Sequence, residues 1–271
     1  MNVSDLSIGF IGGGQMAEAL IRGLLTARLA AAEQLAVLEP DEHRCRQLET
    51  EYSIHCTREA KELCRRSRVL VAAVKPQLAD QALGACNPFV TDDHLVVSIM
   101  AGVSLADLAD IFTEPVRLIR VMPNTPALVL AGASAFSAND RATAEDRQVA
   151  EALFSAVGTC VEVAEHQLDA VTGLSGSGPG YVFTFIEALI DGGVLAGLPR
   201  PLAEQLVLQT VFGSARLALE TSEHPAVLKG RVTSPGGTTI TGLQVLEQGG
   251  FRGLVMNAVA AAAARSRELG A

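Results

Sequence analysis

Aromatic side chains and basic clusters are both scarce in this chain. Only 4% of its 271 residues are aromatic, and none of these is tryptophan. Surfaces that stack sugars or single-stranded bases generally need more aromatic faces than this. The net charge is −9, and the densest basic run, Arg65, Arg66 and Arg68, is typical of an exposed helix end. We therefore expect no nucleic-acid partner.

Metal-ligand and disulfide spacings are also missing. The five cysteines include no Cys-x-x-Cys pair, and the five histidines show neither His-x-x-x-His nor His-x-x-Glu spacing. No metal site is therefore predicted. An odd number of cysteines in a chain of this length favours reduced thiols in a cytosolic protein over a disulfide framework.

Long apolar runs and a secretory leader are absent as well. No run of 18 apolar residues occurs, and the first residues lack the charged and apolar regions of a signal peptide. We expect a cytoplasmic protein without a membrane partner. Apolar residues still make up 49% of the chain, and glycine occurs 25 times. The apolar fraction is enough for a sizeable hydrophobic core.

Two different patterns divide the chain. Across residues 1–164, short β-branched runs alternate with helical stretches, which predicts a doubly wound parallel sheet in an α/β domain. From residue 165 to 271 the strand pattern is absent, and an all-α domain is expected. The predicted strands are Ile8–Ile11, Leu35–Leu38, Val69–Val74, Leu95–Ile99, Leu118–Val121, Ser134–Ser137 and Cys160–Val163. The predicted helices include Met16–Ala27, Glu42–Glu51, Pro179–Ala196, Pro201–Glu220, Thr239–Glu247 and Phe251–Leu269.

The predicted C-terminal helices carry more apolar surface than a small domain can cover. Pro179–Ala196 and Pro201–Glu220 each present a broad apolar face, and Ala258–Ala264 is nearly all alanine. We expect a second subunit to cover these faces.

A glycine-rich segment near the N-terminus predicts a dinucleotide site. Gly12–Ala17 fits the pattern G-x-G-x-x-A and lies directly between a predicted strand and a predicted helix. In this interpretation the loop admits a pyrophosphate to the helix N-terminus, where backbone N–H groups and the helix dipole favour anions. The alternative is a tight turn with only a structural role. The residues assigned to the cofactor here are Gly12, Gly13, Gly14, Gln15 and Met16.

Glu39 ends the second predicted strand. An acidic residue at this position commonly binds the adenosine ribose hydroxyls and repels a 2′-phosphate, which favours NAD(H) over NADP(H). Two alternatives remain open. Arg44 and Arg46 can serve a phosphate instead, or Glu39 can merely cap or solvate a loop.

Three later strands of the first half end in unusual turns. The carboxyl ends of strands in open α/β sheets face the ligand crevice, so residues in these turns are candidates for cofactor binding. An ordinary strand-ending turn is the alternative for Lys75, which is one of only three lysines. The candidates are Val74, Lys75, Pro76, Ala101, Gly102 and Asn124.

A second glycine loop lies in the helical half, within Val232–Ile240. Gly236 and Gly237 precede a predicted helix, so their exposed backbone amides form a nest suited to a carboxylate. Thr238 and Thr239 add hydroxyl groups. A plain helix cap is the alternative. The first helical stretch of the second half, Tyr181–Arg200, contains neither lysine nor histidine, so no strong side-chain base is expected there.

Together these motifs resemble the pyrroline-5-carboxylate reductase family. The resemblance runs from IGFIGGGQMAEAL through VKP, SIMAGVS, RVMPNTPA and LSGSGPGY to LKGRVTSPGGTTITGLQVLEQGGFRGLVMNAV. It implies an N-terminal Rossmann domain, a C-terminal helical dimerisation domain, and a homodimer that assembles further into a homodecamer. The implied reaction is hydride transfer from NAD(P)H to the C=N bond of L-1-pyrroline-5-carboxylate. The product is L-proline, in the last step of proline biosynthesis.

The resemblance also assigns residues in the second glycine loop. It implies that the amides of Gly236, Gly237 and Thr238 bind the substrate carboxylate and that Ser234 also belongs to the substrate site. It further implies that Thr239 binds the substrate and orients or donates to the ring nitrogen as the catalytic hydroxyl. Two rival interpretations stay open. One is a reductase of a six-membered cyclic imine, and the other is a dinucleotide-binding protein without enzymatic activity.

Overall fold

A computed structural model describes residues 6–270 of the chain. Residues 1–5 and 271, which belong to the predicted domains and include the start of the segment assessed for a signal peptide, lie outside the described residues. Two compact units are present. The first runs to Ser177 and resumes at Ala261, and the second is Gly178–Ala260. The domain division after residue 164 stays a prediction.

The first unit is built on one sheet. Among the described residues its strand order is β3-β2-β1-β4-β5-β6-β7-β8. The pairs from β3 to β6 are parallel, β7 is antiparallel to β6, and β8 is parallel to β7. The strands are β1 Ile8–Ile11, β2 Leu35–Leu38, β3 His55–Thr57, β4 Val69–Ala72, β5 Leu95–Ser98, β6 Arg117–Met122, β7 Gly132–Ala138 and β8 Gly158–Glu162.

Helices cover both faces of this sheet. Several begin with a capping residue: Asp41 accepts hydrogen bonds from the amides of His43 and Arg44, while Ser104 and Thr143 each form a capping box. The helices of this unit are α1 Gln15–Thr26, α2 Glu42–Tyr52, α3 Ala60–Arg66, α4 Ala79–Cys86, α5 Leu105–Ile111, α6 Ala144–Ser155 and α7 Leu168–Val171.

Each face of the sheet has its own apolar core. Along β4, Val69 and Val71 belong to one buried cluster, and Leu70 and Ala72 belong to the other. Successive side chains of a strand point to opposite faces, so a continuous apolar run is what a strand covered on both sides requires. The predicted doubly wound α/β fold is confirmed.

The predicted strands differ from the observed ones at several positions: the last three begin earlier than predicted, at Arg117, Gly132 and Gly158, and end at Met122, Ala138 and Glu162. The strand predicted over Val69–Val74 ends at Ala72, because its pairing with both neighbours stops there, at Ile11 of β1 and Ser98 of β5. The strand predicted to end at Ile99 ends at Ser98. The short strand β3 was not predicted, since pairing with β2 rather than any local pattern makes it extended.

The second unit is entirely helical among its described residues. A π-helical turn, Thr172–Gly176, precedes it, and α12 extends beyond it into the first unit. Helix α10 was not predicted, because its seven residues are too short to show a period. The helices are α8 Gly178–Leu195, α9 Arg200–Thr221, α10 Pro225–Arg231, α11 Thr238–Gln248 and α12 Phe251–Leu269.

Large apolar side chains lie exposed on this second unit. Leu195 is 91% exposed, Leu219 79% and Met256 70%, while Ala203 is the one fully buried residue within Gly178–Ala260. Exposed apolar faces of this extent mark an interaction surface. No helix in residues 6–270 combines the length and apolar character needed to traverse a bilayer.

Candidate cofactor and substrate sites

The loops that follow five parallel strands lie along one edge of the sheet. Ile11 of β1 pairs with Leu38 of β2 and Ala72 of β4, and Ala72 pairs with Ser98 of β5. Ser98 in turn pairs with Arg120 of β6. The carboxyl ends are therefore aligned, and the loops beyond them gather most of the predicted cofactor residues. These are Gly12–Met16, Glu39, Val74–Pro76, Ala101 and Gly102, with Asn124 after β6.

Gly12 and Gly14 occupy opposite environments in the first glycine loop. Gly12 has a φ of +95°, and a Cβ on it would lie 2.9 Å from both the Ala73 carbonyl oxygen and Val74 Cγ1. The fold therefore requires glycine at position 12. Gly14 has a φ of −69°, and a Cβ there would meet nothing within 4 Å. The fold itself tolerates a side chain at Gly14, so the open space beside it is available to a ligand.

Helix α1 begins immediately after this loop without a side-chain cap. Gly14 is its N-cap residue and supplies no side chain to accept from the first amides. These N–H groups have no partner within the helix, and the dipole adds partial positive charge at the same end. Ala17, the last residue of the G-x-G-x-x-A pattern, is fully buried, as close packing of α1 against the sheet requires. A pyrophosphate fits this helix end.

Glu39 is held by two backbone amides. Its Oε2 accepts from Gly13 N at 2.8 Å, and its Oε1 accepts from Asp41 N at 3.0 Å. The Glu39 carboxylate therefore caps the glycine loop, which is one of the two alternatives to a role in ribose binding. Each oxygen retains a further lone pair that can accept from a ribose hydroxyl.

Both arginines offered as phosphate ligands are already paired. Arg44 Nε donates to the Gly13 carbonyl oxygen at 2.7 Å, and an Arg44 terminal nitrogen donates to Glu18 Oε2 at 2.5 Å. Arg46 is paired with Glu42 of its own helix at 2.5 Å. Both arginines predicted as possible phosphate ligands near the end of β2 are thus bound to other groups of the protein.

The loops after β4 and β5 remain accessible. Lys75 is exposed and precedes the 3₁₀ turn that begins at Pro76. Gly102 has a φ of +76°, and a Cβ on it would lie 3.6 Å from the carbonyl oxygen of Leu269 at the end of α12. Nothing in these contacts prevents either loop from meeting a cofactor, and their roles stay predictions.

Asn124 cross-links two elements of the first unit. Its Nδ2 donates to the Ser175 carbonyl oxygen at 3.0 Å, and its Oδ1 accepts from Ala133 N at 2.9 Å. The side chain is 9% exposed. These contacts support a structural role for the carboxamide, which joins β7 to the π-helical turn. A contact between Asn124 and the cofactor stays a prediction.

The second glycine loop forms a tight turn before α11. Gly236 has a φ of +67°, and Gly237 is the N-cap residue without a side-chain cap. Gly237 N donates to the Ser234 carbonyl oxygen at 3.1 Å, so this predicted carboxylate donor is already used within the turn. The amides of Thr238 and Thr239, in the first turn of α11, have no acceptor within the helix and remain suited to an anion.

Sequence reasoning missed the residues that brace the first glycine loop. Tyr52 donates through its hydroxyl to Glu18 Oε1 at 2.9 Å, and Glu18 in turn holds Arg44. Tyr52 and Glu18 are separated by 34 positions, so no local pattern connects them. The sequence offered one hint of a specific role for Tyr52, namely that the chain has only two tyrosines.

Two family models match the chain. Residues 165–269 match the model described as pyrroline-5-carboxylate reductase dimerisation. Residues 7–102 match the model described as NADP oxidoreductase, coenzyme F420-dependent. The glycine loop at Gly12–Ala17 lies within the NADP oxidoreductase match, and the glycine loop within Val232–Ile240 lies within the dimerisation match.

Similar proteins span the whole length of the chain. A pyrroline-5-carboxylate reductase of Synechocystis is 50% identical over 98% of this chain and 99% of its own. One of Arabidopsis thaliana is 45% identical over 98% of this chain and 96% of its own. The structure of a pyrroline-5-carboxylate reductase from Coxiella burnetii has a TM-score of 0.93 at 34% identity, covering 98% of this chain and 99% of that one. A Plasmodium falciparum pyrroline carboxylate reductase with NADP bound has a TM-score of 0.87 at 34% identity, covering 99% of both chains.

Proposed function

The chain belongs to the pyrroline-5-carboxylate reductase family, and from that premise we propose how its own residues carry out the reaction. It is an oxidoreductase that reduces the C=N bond of L-1-pyrroline-5-carboxylate to give L-proline, the last step of proline biosynthesis. The observation that carries this conclusion is the 50% identity over nearly all of both chains. None of the relatives described above is named as a six-membered-ring reductase or as a protein without enzymatic activity.

The cofactor lies, in this proposal, on the first glycine loop. When bound, NAD(P)H supplies the hydride. The uncapped amides of α1 and the open side of Gly14 receive the pyrophosphate, and Glu39 accepts from the adenosine ribose. The fixed carboxylate of Glu39, together with the prior engagement of Arg44 and Arg46, supports a preference for NADH over NADPH.

The substrate carboxylate lies, in this proposal, at the N-terminus of α11. The amides of Thr238 and Thr239 donate to it, the turn formed by Ser234, Gly236 and Gly237 shapes the loop, and the helix dipole offsets its charge. The Thr239 hydroxyl orients the ring nitrogen. A protonated cyclic imine already has an electrophilic carbon, so these residues need to orient it and exclude water rather than abstract a proton.

A direct assay tests this proposal. Purified protein is given pyrroline-5-carboxylate with NADH or with NADPH, and both cofactor oxidation and proline formation are followed. Proline formation with at least one cofactor is expected. If neither cofactor is oxidised, the proposed function is rejected.

A threonine pair tests the role of Thr239. Thr239→Ala is expected to lower kcat at least tenfold while the secondary structure and assembly state are retained. Thr210→Ala is the matched control, because the Thr210 hydroxyl only donates to the Leu206 carbonyl oxygen of its own helix. Full kcat/KM in the Thr239 variant would remove that residue from the mechanism.

Self-association follows from the matched dimerisation region and from the exposed apolar faces of the second unit. We propose a homodimer as the basic assembly and a homodecamer of five dimers as its further form. A cytoplasmic location is part of the same proposal, since all five cysteines are free thiols, as in proteins of reducing compartments.

A further inference from the structure

We propose that Arg44 is a positioning residue that fixes the orientation of the Gly13–Gly14 peptide, so that N–H groups rather than a carbonyl oxygen face the cofactor's pyrophosphate. This inference rests on the proposed cofactor site. Arg44 itself has no contact with the cofactor in this proposal, and it acts through the backbone of the glycine loop.

Side chains hold both backbone polar groups of Gly13. Arg44 Nε donates to the Gly13 carbonyl oxygen at 2.7 Å, and Glu39 Oε2 accepts from Gly13 N at 2.8 Å. Both side chains come from the segment that runs from the end of β2 into α2. They lie 31 and 26 positions from Gly13, so the contacts depend on the tertiary fold.

Three consecutive glycines make such a restraint necessary. Glycine populates left- and right-handed backbone conformations about equally, so the peptides of Gly12–Gly14 have unusual freedom to rotate. The C=O and N–H of a trans peptide point in opposite directions. Holding the Gly13 carbonyl oxygen on Arg44 therefore directs the Gly14 N–H the other way. A flipped peptide would present a carbonyl oxygen to an anion.

A second layer holds Arg44 in place. Glu18, in the first turn of α1, accepts from Arg44 at 2.5 Å and from the Tyr52 hydroxyl at 2.9 Å. The hydrogen bond from Arg44 is the main cause that holds the pKa of Glu18 below its ordinary value. Both members of the pair are about three-quarters buried, with side chains 24% and 25% exposed. The guanidinium also offsets the Glu18 charge at the end of α1 where the pyrophosphate is expected.

The competing role for Arg44 is that of a 2′-phosphate ligand. The two roles predict different losses when the guanidinium is removed. A phosphate ligand affects NADPH binding alone, whereas a loop restraint affects NADH and NADPH equally because both carry the same pyrophosphate. Adenosine has no phosphate, so its binding does not depend on the loop.

The test compares Arg44→Met with Arg46→Met in the full-length protein. Arg46 is the matched control, because it lies on the same helix and its side chain forms an exposed ion pair with Glu42. Dissociation constants for NADH, NADPH and adenosine are measured without substrate, and KM for pyrroline-5-carboxylate is measured at saturating cofactor. Circular dichroism confirms that each variant folds.

We expect Arg44→Met to weaken NADH and NADPH at least tenfold and by the same factor. Binding of adenosine and KM for pyrroline-5-carboxylate should change less than twofold, and Arg46→Met should match the wild type. A loss confined to NADPH, or no loss with either cofactor, overturns the proposal. If Arg44→Met does not fold, Tyr52→Phe is measured instead. An equal but smaller weakening of NADH and NADPH binding supports the proposal, and unchanged binding of both cofactors overturns it.

This outcome is separable from that of the proposed function. Failure of the wild-type protein to form proline rejects the function whatever the variants bind. Unchanged cofactor binding in the variants rejects the role of Arg44 while the wild-type reaction stands.

Discussion

At the scale of single residues, two glycines of one loop differ in what they are needed for. Gly12 is required by the backbone, since its φ is +95° and a Cβ would approach the Ala73 carbonyl oxygen. Gly14 has an ordinary φ and open space around it. A glycine that the backbone requires can thus be distinguished from one that leaves space for a ligand.

Gly14→Ala is expected to separate folding from cofactor binding. The free energy of unfolding should change by less than about 1 kcal/mol, because the backbone conformation suits alanine. The affinity for NADH should fall at least tenfold, since the new methyl group occupies the space where the pyrophosphate approaches. Urea unfolding and NADH titration measure the two effects.

Gly12→Ala provides the contrast within the same loop. It should lower the free energy of unfolding by about 2 kcal/mol, because alanine at a positive φ is strained and meets backbone at close range. Equal stability of the two variants would contradict this assignment of roles.

The charge of Glu39 is expected to set the cofactor preference. Glu39→Gln keeps the size of the side chain but removes the negative charge near a 2′-phosphate. The ratio of kcat/KM for NADPH to that for NADH should rise at least fivefold, corresponding to about 1 kcal/mol. Steady-state kinetics with both cofactors measures it. A wild-type enzyme that strongly prefers NADPH, with no change in Glu39→Gln, would disprove the role.

At the scale of elements, the secondary structure of short segments is determined by the elements that they pack against or pair with. The strand β3 is three residues long and extended because it pairs with β2. Helix α10 begins at Pro225 and has no detectable apolar period. By contrast, β1, β2 and the long helices α8 and α9 lie close to where the apolar patterns place them. Long or strongly patterned elements could therefore be predicted from the sequence, and short ones could not.

Asn124→Asp is expected to loosen the link between β7 and the π-helical turn. A carboxylate can still accept from Ala133 N but cannot donate to the Ser175 carbonyl oxygen. The free energy of unfolding should fall by about 1–3 kcal/mol at neutral pH. The loss should shrink on acidification, because the protonated carboxyl group regains a donor. Urea unfolding at two pH values measures it.

Asn87→Asp is the matched control for this experiment. The carboxamide oxygen of Asn87 accepts from the backbone and hydroxyl of Thr113, and a carboxylate can do the same. We expect no comparable loss. If both variants lose the same stability, the Asn124 donor has no special role.

At the scale of the whole molecule, the second unit requires a partner for its apolar faces. Only Ala203 is fully buried within Gly178–Ala260, and several large apolar side chains there are more than half exposed. Burial of apolar surface is the main source of folding stability. A unit whose apolar faces are uncovered therefore has little folding stability of its own. Association and stability should therefore depend on each other.

Phe183→Asp is expected to disrupt that association. Phe183 is 64% exposed in the single chain, so a charge is tolerated there unless another subunit covers the site. Sedimentation velocity should show a smaller species than the wild type, and the wild-type Tm should rise with protein concentration. Val129→Asp, at a 74% exposed position of the first unit, serves as the control. An unchanged sedimentation coefficient for Phe183→Asp would place that residue outside the interface.

The sequence by itself determined the division into an α/β half and a helical half, the two glycine loops and the family resemblance. These depend on periodicity and on motifs of contiguous residues, which are local properties. Only the tertiary structure decided that Arg44 and Glu39 hold Gly13 and that Asn124 holds the Ser175 carbonyl. These partners lie 26 to 51 positions apart. The order in which strands pair brings them together, and no contiguous stretch of the chain encodes that order.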